Sequence, residues 1–163
     1  MIFVTVGTHE QQFNRLVKYM DEWAKKHSEE VIVQTGFCTY EPLNCKSKKL
    51  FAYNEMSEMI EKARIVITHG GPSSFIAPLQ IGKTPIVVPR KKEFGEHVNN
   101  HQLDFCRQVS QRMGTIILVE DIEKLGETIS DYDQIILGME KQGGSNNAIF
   151  CENFAKIVDE MMK

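Results

Sequence analysis

Ile65-Val66-Ile67-Thr68-His69-Gly70-Gly71-Pro72-Ser73-Ser74 is the stretch that decides the fold of this 163-residue chain. It begins with a β-branched apolar run, continues through two glycines, and reaches a proline at a position where helices often start. We predict a buried strand over Ile65–Thr68, a tight turn, and a helix that begins at Pro72 and ends at Gly82. A strand that leads directly into a helix is the repeating unit of parallel α/β sheets.

The same alternation extends in both directions along the chain. The predicted strands are Ile2–Val6, Val31–Gln34, Leu50–Tyr53, Ile65–Thr68, Pro85–Val88 and Thr115–Val119. The predicted helices are one after Glu10, Glu55–Lys62, Pro72–Gly82, Val98–Arg112, one capped by Asp121 that runs toward Leu137, and a last amphipathic helix with Phe150, Phe154, Ile157, Val158 and Met161 on one stripe. This pattern predicts an α/β protein with a Rossmann-like, doubly wound parallel sheet, formed by one domain over residues 1–163. The polar, glycine-bearing segment 138–147 is interpreted as a hinge before the terminal helix.

The composition suits a soluble globular protein, because 42% of the residues are hydrophobic and 25% are charged. Lys and Arg number 19 against 22 for Asp and Glu, so there is no global positive field and we expect no nucleic-acid partner. The N-terminal apolar run is too short for a signal peptide, and no stretch approaches the length of a membrane span. We therefore expect a cytoplasmic protein whose contact with the plasma membrane is peripheral and made through a partner.

Ligands of doubly wound sheets bind at the carboxyl ends of the strands, where the strand order reverses. Three polar segments follow predicted strands in this way, namely Gly7–Gln11, His69–Ser74 and Pro89–Gln102. Because the carboxyl ends of parallel strands share one edge of the sheet, we expect these segments to converge there.

The segment His69–Ser74 has the features of an anion site. Its two glycines allow a ligand to approach the backbone, its two serines offer hydroxyls, and the following helix start presents unpaired N–H groups and a partial positive charge. The same residues also suit a plain strand-to-helix turn with serine caps and a buried His69 whose nitrogens are satisfied.

The first segment, Gly7–Gln11, has no G-x-G-x-x-G fingerprint, so a classical dinucleotide site is weakly supported. Within it, Thr8 also suits an ordinary helix N-cap.

Two other motifs look like cofactor or metal sites but lack the required context. Ala77–Thr84 resembles a phosphate-binding P-loop, yet a predicted helix precedes it and a predicted strand follows it. His97 and His101 lie one helical turn apart, but the Glu of the metalloprotease motif is missing from between them. We therefore predict no metal and no cofactor.

Three motifs together resemble the C-terminal, donor-binding domain of family 28 glycosyltransferases: His69–Ser74, Gly82–Pro89 and Glu96–Gln102. The likeness covers nearly the whole chain and is strongest to stand-alone forms, which include bacterial capsule and exopolysaccharide subunits and the small subunit of the split dolichol-linked N-acetylglucosaminyltransferase. It implies a single lobe of the GT-B C-terminal type that binds a UDP-sugar as a substrate.

The resemblance also implies roles for individual residues. The donor-binding residues would be Gly7, Thr8, His69, Gly70, Gly71, Ser73, Ser74, His101 and Gln102. The turn at His69 would meet the diphosphate, and His101 and Gln102 would hold hydroxyls of the donor sugar. Ala77 is a departure, since many relatives carry there a glutamate that clamps the ribose. His9 and Glu10 are the candidates for the general base, because both lie at the predicted crevice edge.

The expected function is inverting transfer of a hexose, either galactose or N-acetylglucosamine, from a UDP-sugar to a lipid-linked acceptor in capsular or exopolysaccharide synthesis. One lobe fills the chain, so a membrane-attached partner subunit is expected to bind the acceptor. One alternative is a non-catalytic nucleotide-sugar-binding module that activates a partner transferase. Another is an unrelated nicotinamide-dependent enzyme, which the missing glycine fingerprint disfavours.

Overall fold

The computed structural model describes residues 1–143 together with residues 156, 159 and 160. The strands in this part of the chain are β1 (Ile2–Thr5), β2 (Val31–Gln34), β3 (Lys46–Lys48), β4 (Ile65–His69), β5 (Ile86–Val88) and β6 (Ile117–Leu118). The α-helices there are α1 (Asn14–Lys26), α2 (Tyr53–Lys62), α3 (Pro72–Gln80), α4 (His101–Met113), α5 (Leu125–Ser130) and α6 (Tyr132–Gly143), with short 3-10 helices at Lys92–Phe94 and Ile122–Lys124. None of the helices described is long and apolar enough to cross a bilayer.

The strands form one parallel sheet in the order β3-β2-β1-β4-β5-β6. From β1 the chain adds β2 and then β3 on one side of the sheet. It then returns to the other side of β1, where it adds β4, β5 and β6. The strand order therefore reverses between β1 and β4, which are paired in register from Ile2 with Ile65 to Thr5 with Thr68. This order is that of a Rossmann fold and confirms the predicted fold class.

The central strands of the parallel sheet are buried on both faces. All residues of β1, β4 and β5 are buried, as expected when helices cover both sides of a sheet. One face packs against α1, whose core side chains include Leu16, Met20 and Trp23, and against α5 and α6. The opposite face packs against α2, α3 and α4, with Phe75 and Phe105 at its centre. The carboxyl edge of the sheet is left for the connecting turns.

The predicted strand over Leu50–Tyr53 is wrong, because the third strand is Lys46–Lys48. All three residues of β3 are exposed at the edge of the sheet, so the strand has no apolar pattern by which it could be recognised. Phe51, in contrast, packs its ring edge-on against Phe3 at a centroid distance of 5.6 Å, below the sheet. The run Leu50–Tyr53 therefore resembles a strand because it contains Phe51, an apolar residue that packs against the sheet from the connection between β3 and α2.

The helices that follow β6 also differ in detail from the prediction. Asp121 does cap a helical turn, since its side chain accepts a hydrogen bond from Glu123 N, but two helices, α5 and α6, follow it. Helix α6 continues to Gly143, so the first part of the predicted hinge 138–147 is helical. Gly138 is exposed in that helix, where a glycine costs only about 1 kcal/mol. The rest of the predicted hinge, and the stripe from Phe150 to Met161, lie outside the described residues.

Candidate functional site

The turns that follow β1, β4 and β5 meet at the carboxyl edge of the sheet, as predicted. Gln12 in the first turn donates to the carbonyl of Phe94 in the third at 3.1 Å. Gln102, which follows the third turn, accepts a hydrogen bond from the amide of Gly70 in the second at 3.2 Å. The three segments form one cluster beside the point where the strand order reverses, which is where doubly wound folds bind ligands.

His69, the last residue of β4, lies at the centre of this cluster and is only 7% exposed. Its imidazole is held between two glycines. A Cβ atom on Gly7 would lie 2.3 Å from the ring Nε2, and one on Gly71 would lie 2.3 Å from the ring Cε1. Gly7 also has a φ of 76°, which side chains disfavour. Glycine is therefore needed at both positions to leave space for the histidine ring, whether or not a ligand binds nearby.

Both nitrogens of His69 have partners inside the protein. Nδ1 lies 3.0 Å from the amide of Gly71 and 3.3 Å from the side-chain nitrogen of Gln102, and Nε2 lies 2.6 Å from the hydroxyl oxygen of Ser74. Burial, followed by the positive charge of Arg90, lowers the pKa of His69 to about 3. The ring is therefore neutral at physiological pH, and the expectation of a buried, satisfied histidine describes it correctly.

The serine caps expected at this turn are not formed. Helix α3 has Gly71 at its N-cap, without a capping side chain, and Ser74 turns instead to His69. Ser73 is exposed at the start of the helix. The amides of Gly70 and Gly71 already donate within the protein, so the hydroxyls of the two serines are the groups best placed to reach an anion.

Gln102 connects the ends of two strands. Its Oε1 atom accepts from the amides of Gly70, after β4, and Arg90, after β5, at 3.2 Å each. Its polar atoms are thus engaged within the protein, whereas His101 is exposed at the start of α4. The assignment of both residues to donor-sugar hydroxyls stays a prediction.

Arg90 is a residue whose importance the sequence analysis missed. Its side chain is completely buried and donates to the carbonyls of Val6, Gln11, Gln12 and Glu96 at 2.6 to 3.2 Å. One guanidinium thus joins the turn after β1 to the turn after β5. In the sequence it begins the run Arg90-Lys91-Lys92, which has the appearance of a solvated charged loop.

Glu96 is a second buried charge that was missed. It is 1% exposed and forms a two-point ion pair with Arg15 of α1, with N–O distances of 2.9 and 3.0 Å. Its carboxylate also accepts from the amide of Lys91. The pair holds the third turn against α1, and a bidentate geometry makes such contacts specific.

His9 lies at the edge of the cluster, where its ring meets that of His97 edge to face at a centroid distance of 4.7 Å. Burial, followed by the charges of His9 and Arg90, lowers the pKa of His97. Glu10 and Thr8 are exposed nearby. Thr8 does not cap α1, because that helix begins only at Asn14. The role of His9 or Glu10 as a base stays a prediction.

This arrangement is suited to anion binding. A buried guanidinium lies beneath the turns, the positive end of the α3 dipole faces the same edge, and the hydroxyls of Ser73 and Ser74 can donate. The described residues contain no group of three or more His, Cys, Asp or Glu side chains placed to hold a metal ion.

Comparisons with known proteins identify the family of the chain. The model of the glycosyltransferase family 28 C-terminal domain matches residues 1–160. The chain is 34% identical over 119 residues to the human UDP-N-acetylglucosamine transferase subunit ALG13, a match that covers 66% of this chain and 10% of that protein. It therefore spans about a tenth of that relative's length.

The fold is similar to that of the glycosyltransferase SnogD from Streptomyces nogalater, with a TM-score of 0.62 at 17% identity. That similarity covers 97% of this chain and 42% of SnogD. Because the family model extends over nearly the whole sequence, this chain belongs to the glycosyltransferase family 28 C-terminal domains.

Proposed function

We propose that the chain is the donor-binding subunit of an inverting glycosyltransferase that transfers a hexose from a UDP-sugar to a lipid-linked acceptor in capsular or exopolysaccharide synthesis. One observation carries the proposal: in a chain of this family, Ser73 and Ser74 lie in the first turn of α3 at the switch point of the sheet, next to His69, on which the positive charge of the buried Arg90 acts. Such a site suits the diphosphate of a nucleotide sugar.

In this proposal the diphosphate binds at the turn His69–Ser74, with Gly7 and Thr8 beside it. The sugar then extends toward His101, the exposed residue at the start of α4. The name of the human relative includes UDP-N-acetylglucosamine, which supports a UDP-sugar as the donor, with N-acetylglucosamine and galactose as the candidate sugars.

Inverting transfer needs a base for the acceptor hydroxyl and stabilisation of the departing diphosphate. Ser73, Ser74 and the positive end of α3 would supply the stabilisation. His9 is our first candidate for the base, with Glu10 as the second, because both follow β1 at the same edge. Neither is required if the second lobe supplies the base.

We further propose that a membrane-attached partner subunit binds the lipid-linked acceptor and brings this chain to the inner face of the plasma membrane. Two observations support a second lobe. The chain corresponds to 42% of the SnogD chain, and the human relative is named as a subunit.

A thermal-shift panel tests the donor. UDP, UDP-N-acetylglucosamine, UDP-galactose, a GDP-sugar and NAD would each be added to the purified chain. A ligand at about 100 times its Kd stabilises a protein by about 2.7 kcal/mol, which corresponds to a rise in Tm of roughly 5 to 10 °C. Stabilisation by NAD but by no uridine nucleotide would contradict the proposal.

A reconstitution assay separates a catalytic subunit from a binding module that only activates its partner. UDP-hexose and lipid acceptor would be incubated with the chain, with membranes carrying the candidate partner, and with both. We expect turnover only with both, and slower turnover with the Ser74→Ala chain when UDP-hexose is not saturating. Full activity from the isolated chain would contradict the need for a partner, and full activation by Ser74→Ala would favour the non-catalytic module.

A further inference from the structure

The partners of His69 determine which of its ring nitrogens carries the proton. The amide of Gly71 lies 3.0 Å from Nδ1, and a backbone amide can only donate, so Nδ1 must accept. The side-chain nitrogen of Gln102 is a second donor to the same atom. The Gln102 side chain is oriented by its oxygen, which accepts from the amides of Gly70 and Arg90. The proton of the neutral ring therefore lies on Nε2.

This geometry also opposes ionisation of the ring. A second proton, on Nδ1, would point directly at the amide proton of Gly71. Burial and the positive charge of Arg90 act in the same direction and lower the pKa of His69 to about 3. His69 is therefore a neutral donor with one fixed tautomer.

The Nε2 proton has Ser74 as its acceptor, since the hydroxyl oxygen lies 2.6 Å away. A hydroxyl has one hydrogen and two lone pairs, so accepting from His69 leaves the Ser74 hydrogen to be donated elsewhere. Ser74 makes no other side-chain hydrogen bond to the part of the chain that the structure describes. A hydroxyl that already accepts is polarised and becomes a stronger donor.

We propose that His69 is a positioning residue for donor binding: it donates from Nε2 to Ser74 and so directs the Ser74 hydroxyl proton toward the anionic group of the ligand. The inference deepens the proposed function and rests on it, because the anion is the diphosphate of the nucleotide sugar. His69 itself does not reach the ligand, since it is 7% exposed and both of its nitrogens are engaged.

The glycines on either side of the ring support this assignment. A side chain on Gly7 or Gly71 would displace the imidazole, because its Cβ atom would lie 2.3 Å from a ring atom. The absence of side chains at these two positions thus leaves the space that the ring occupies at hydrogen-bonding distance from Ser74. For the same reason, a bulky substitution at Gly71 would disturb the ring first and does not test phosphate binding cleanly.

The tautomer can be measured without any ligand. In the full chain labelled with ¹⁵N-histidine, long-range ¹H–¹⁵N spectra distinguish a protonated from an unprotonated ring nitrogen. We expect His69 to show a proton on Nε2 and none on Nδ1, unchanged between about pH 8 and about pH 5. A ring that titrates in this interval, or one protonated on Nδ1, would overturn the inference. A purely structural His69 would show the same tautomer, so the affinity measurements that follow are needed to separate a positioning role from a structural one.

A double-mutant cycle on UDP affinity tests whether His69 acts through Ser74. Ser74→Ala should raise the Kd for UDP about 10- to 100-fold, the value of one hydrogen bond to a charged group. His69→Asn retains an acceptor for the amide of Gly71 but cannot reach Ser74, and should cause a similar loss. The double variant should be no weaker than the weaker single variant. Multiplied losses would show independent roles and overturn the proposal.

Two controls complete the cycle. Ser57→Ala removes an exposed helix hydroxyl that bonds only its own helix, at the carbonyl of Tyr53, and should leave the Kd for UDP unchanged. Uridine, which has no phosphate, should bind all variants equally. If His69→Asn does not fold, the ¹⁵N spectra and the affinity of Ser74→Ala still test the proposal, because a proton on Nδ1 or an unchanged Kd for UDP would overturn it.

The failure of this inference can be told apart from the failure of the proposed function. Absence of UDP binding by the wild-type chain would refute the proposed function and this inference with it. Normal UDP binding that Ser74→Ala leaves unchanged would refute this inference alone.

Discussion

Replacing Gln102 with alanine tests whether its side chain serves the protein or the donor sugar. Its oxygen accepts from the amides of Gly70 and Arg90, and its nitrogen donates to Nδ1 of His69. We expect Gln102→Ala to lower the free energy of unfolding and to weaken UDP and UDP-hexose binding by the same factor, because the change loosens the turn and not a sugar contact.

The magnitude follows from the bonds that are lost. Each of the three hydrogen bonds contributes about 1 kcal/mol net, and an amide left without a partner costs about 1 to 3 kcal/mol when it is buried. Gln102 is half-buried, so water can reach part of the space that its side chain vacates. We therefore expect a loss of about 2 to 3 kcal/mol, equivalent to a fall in Tm of roughly 5 to 10 °C for a chain of this size.

Urea unfolding measures the loss directly. Trp23 is the only tryptophan and is 9% exposed, so its fluorescence should report unfolding of the core. With a slope of about 2 kcal/mol per molar urea, the midpoint should fall by about 1 M. Gln111→Ala, at an exposed site on the same helix, is the matched control and should change stability by less than about 0.5 kcal/mol.

The opposite pattern would refute this reasoning. If Gln102→Ala had the stability of the wild type and lost UDP-hexose affinity while keeping its affinity for UDP, the side chain would face the sugar. That result would favour the role implied by the family resemblance over the role that the hydrogen bonds indicate.

Three further predictions concern stability and nucleotide choice. Arg90→Met leaves the carbonyls around the buried guanidinium without donors and should cost about 3 to 5 kcal/mol in urea unfolding, whereas the exposed Lys92→Met should cost less than about 0.5 kcal/mol. Burial raises the pKa of Asp21, but hydrogen bonds led by that from Tyr40 outweigh it and lower the pKa overall. The stabilisation is complete above the unfolded-state pKa and is lost as the pH falls through the folded one, so Asp21→Asn should lose less stability than the wild type on acidification below about pH 4; equal losses would contradict this. The family resemblance implies that Ala77 stands where many relatives have a ribose-clamping glutamate, so calorimetry should find similar Kd values for UDP and 2′-deoxy-UDP, and a strong preference for ribose would show that another residue provides the clamp.

The sequence by itself determined most of the elements and the edge of the sheet at which the candidate site lies. Buried parallel strands such as Ile65–His69 begin with a continuous apolar run, and glycine or proline marks the turns, so these elements are encoded locally. The edge strand Lys46–Lys48 was missed for the same reason, because it buries nothing and backbone pairing with β2 alone makes it a strand. The shared carboxyl edge of a parallel sheet then indicated that the turns after β1, β4 and β5 converge.

Only the tertiary structure decided what the polar side chains of those turns do. Arg90 reaches the carbonyl of Val6, and Arg15 pairs with Glu96, across more than 80 residues of sequence. The local sequence around a charged residue does not show whether the side chain is solvated or buried among carbonyls, so no local pattern reveals such contacts. His69 shows the same limit: its tautomer, and the proton it directs toward Ser74, depend on the amide of Gly71 in its own turn and on the side chain of Gln102, which lies 33 residues away in sequence and meets the ring only in the folded protein.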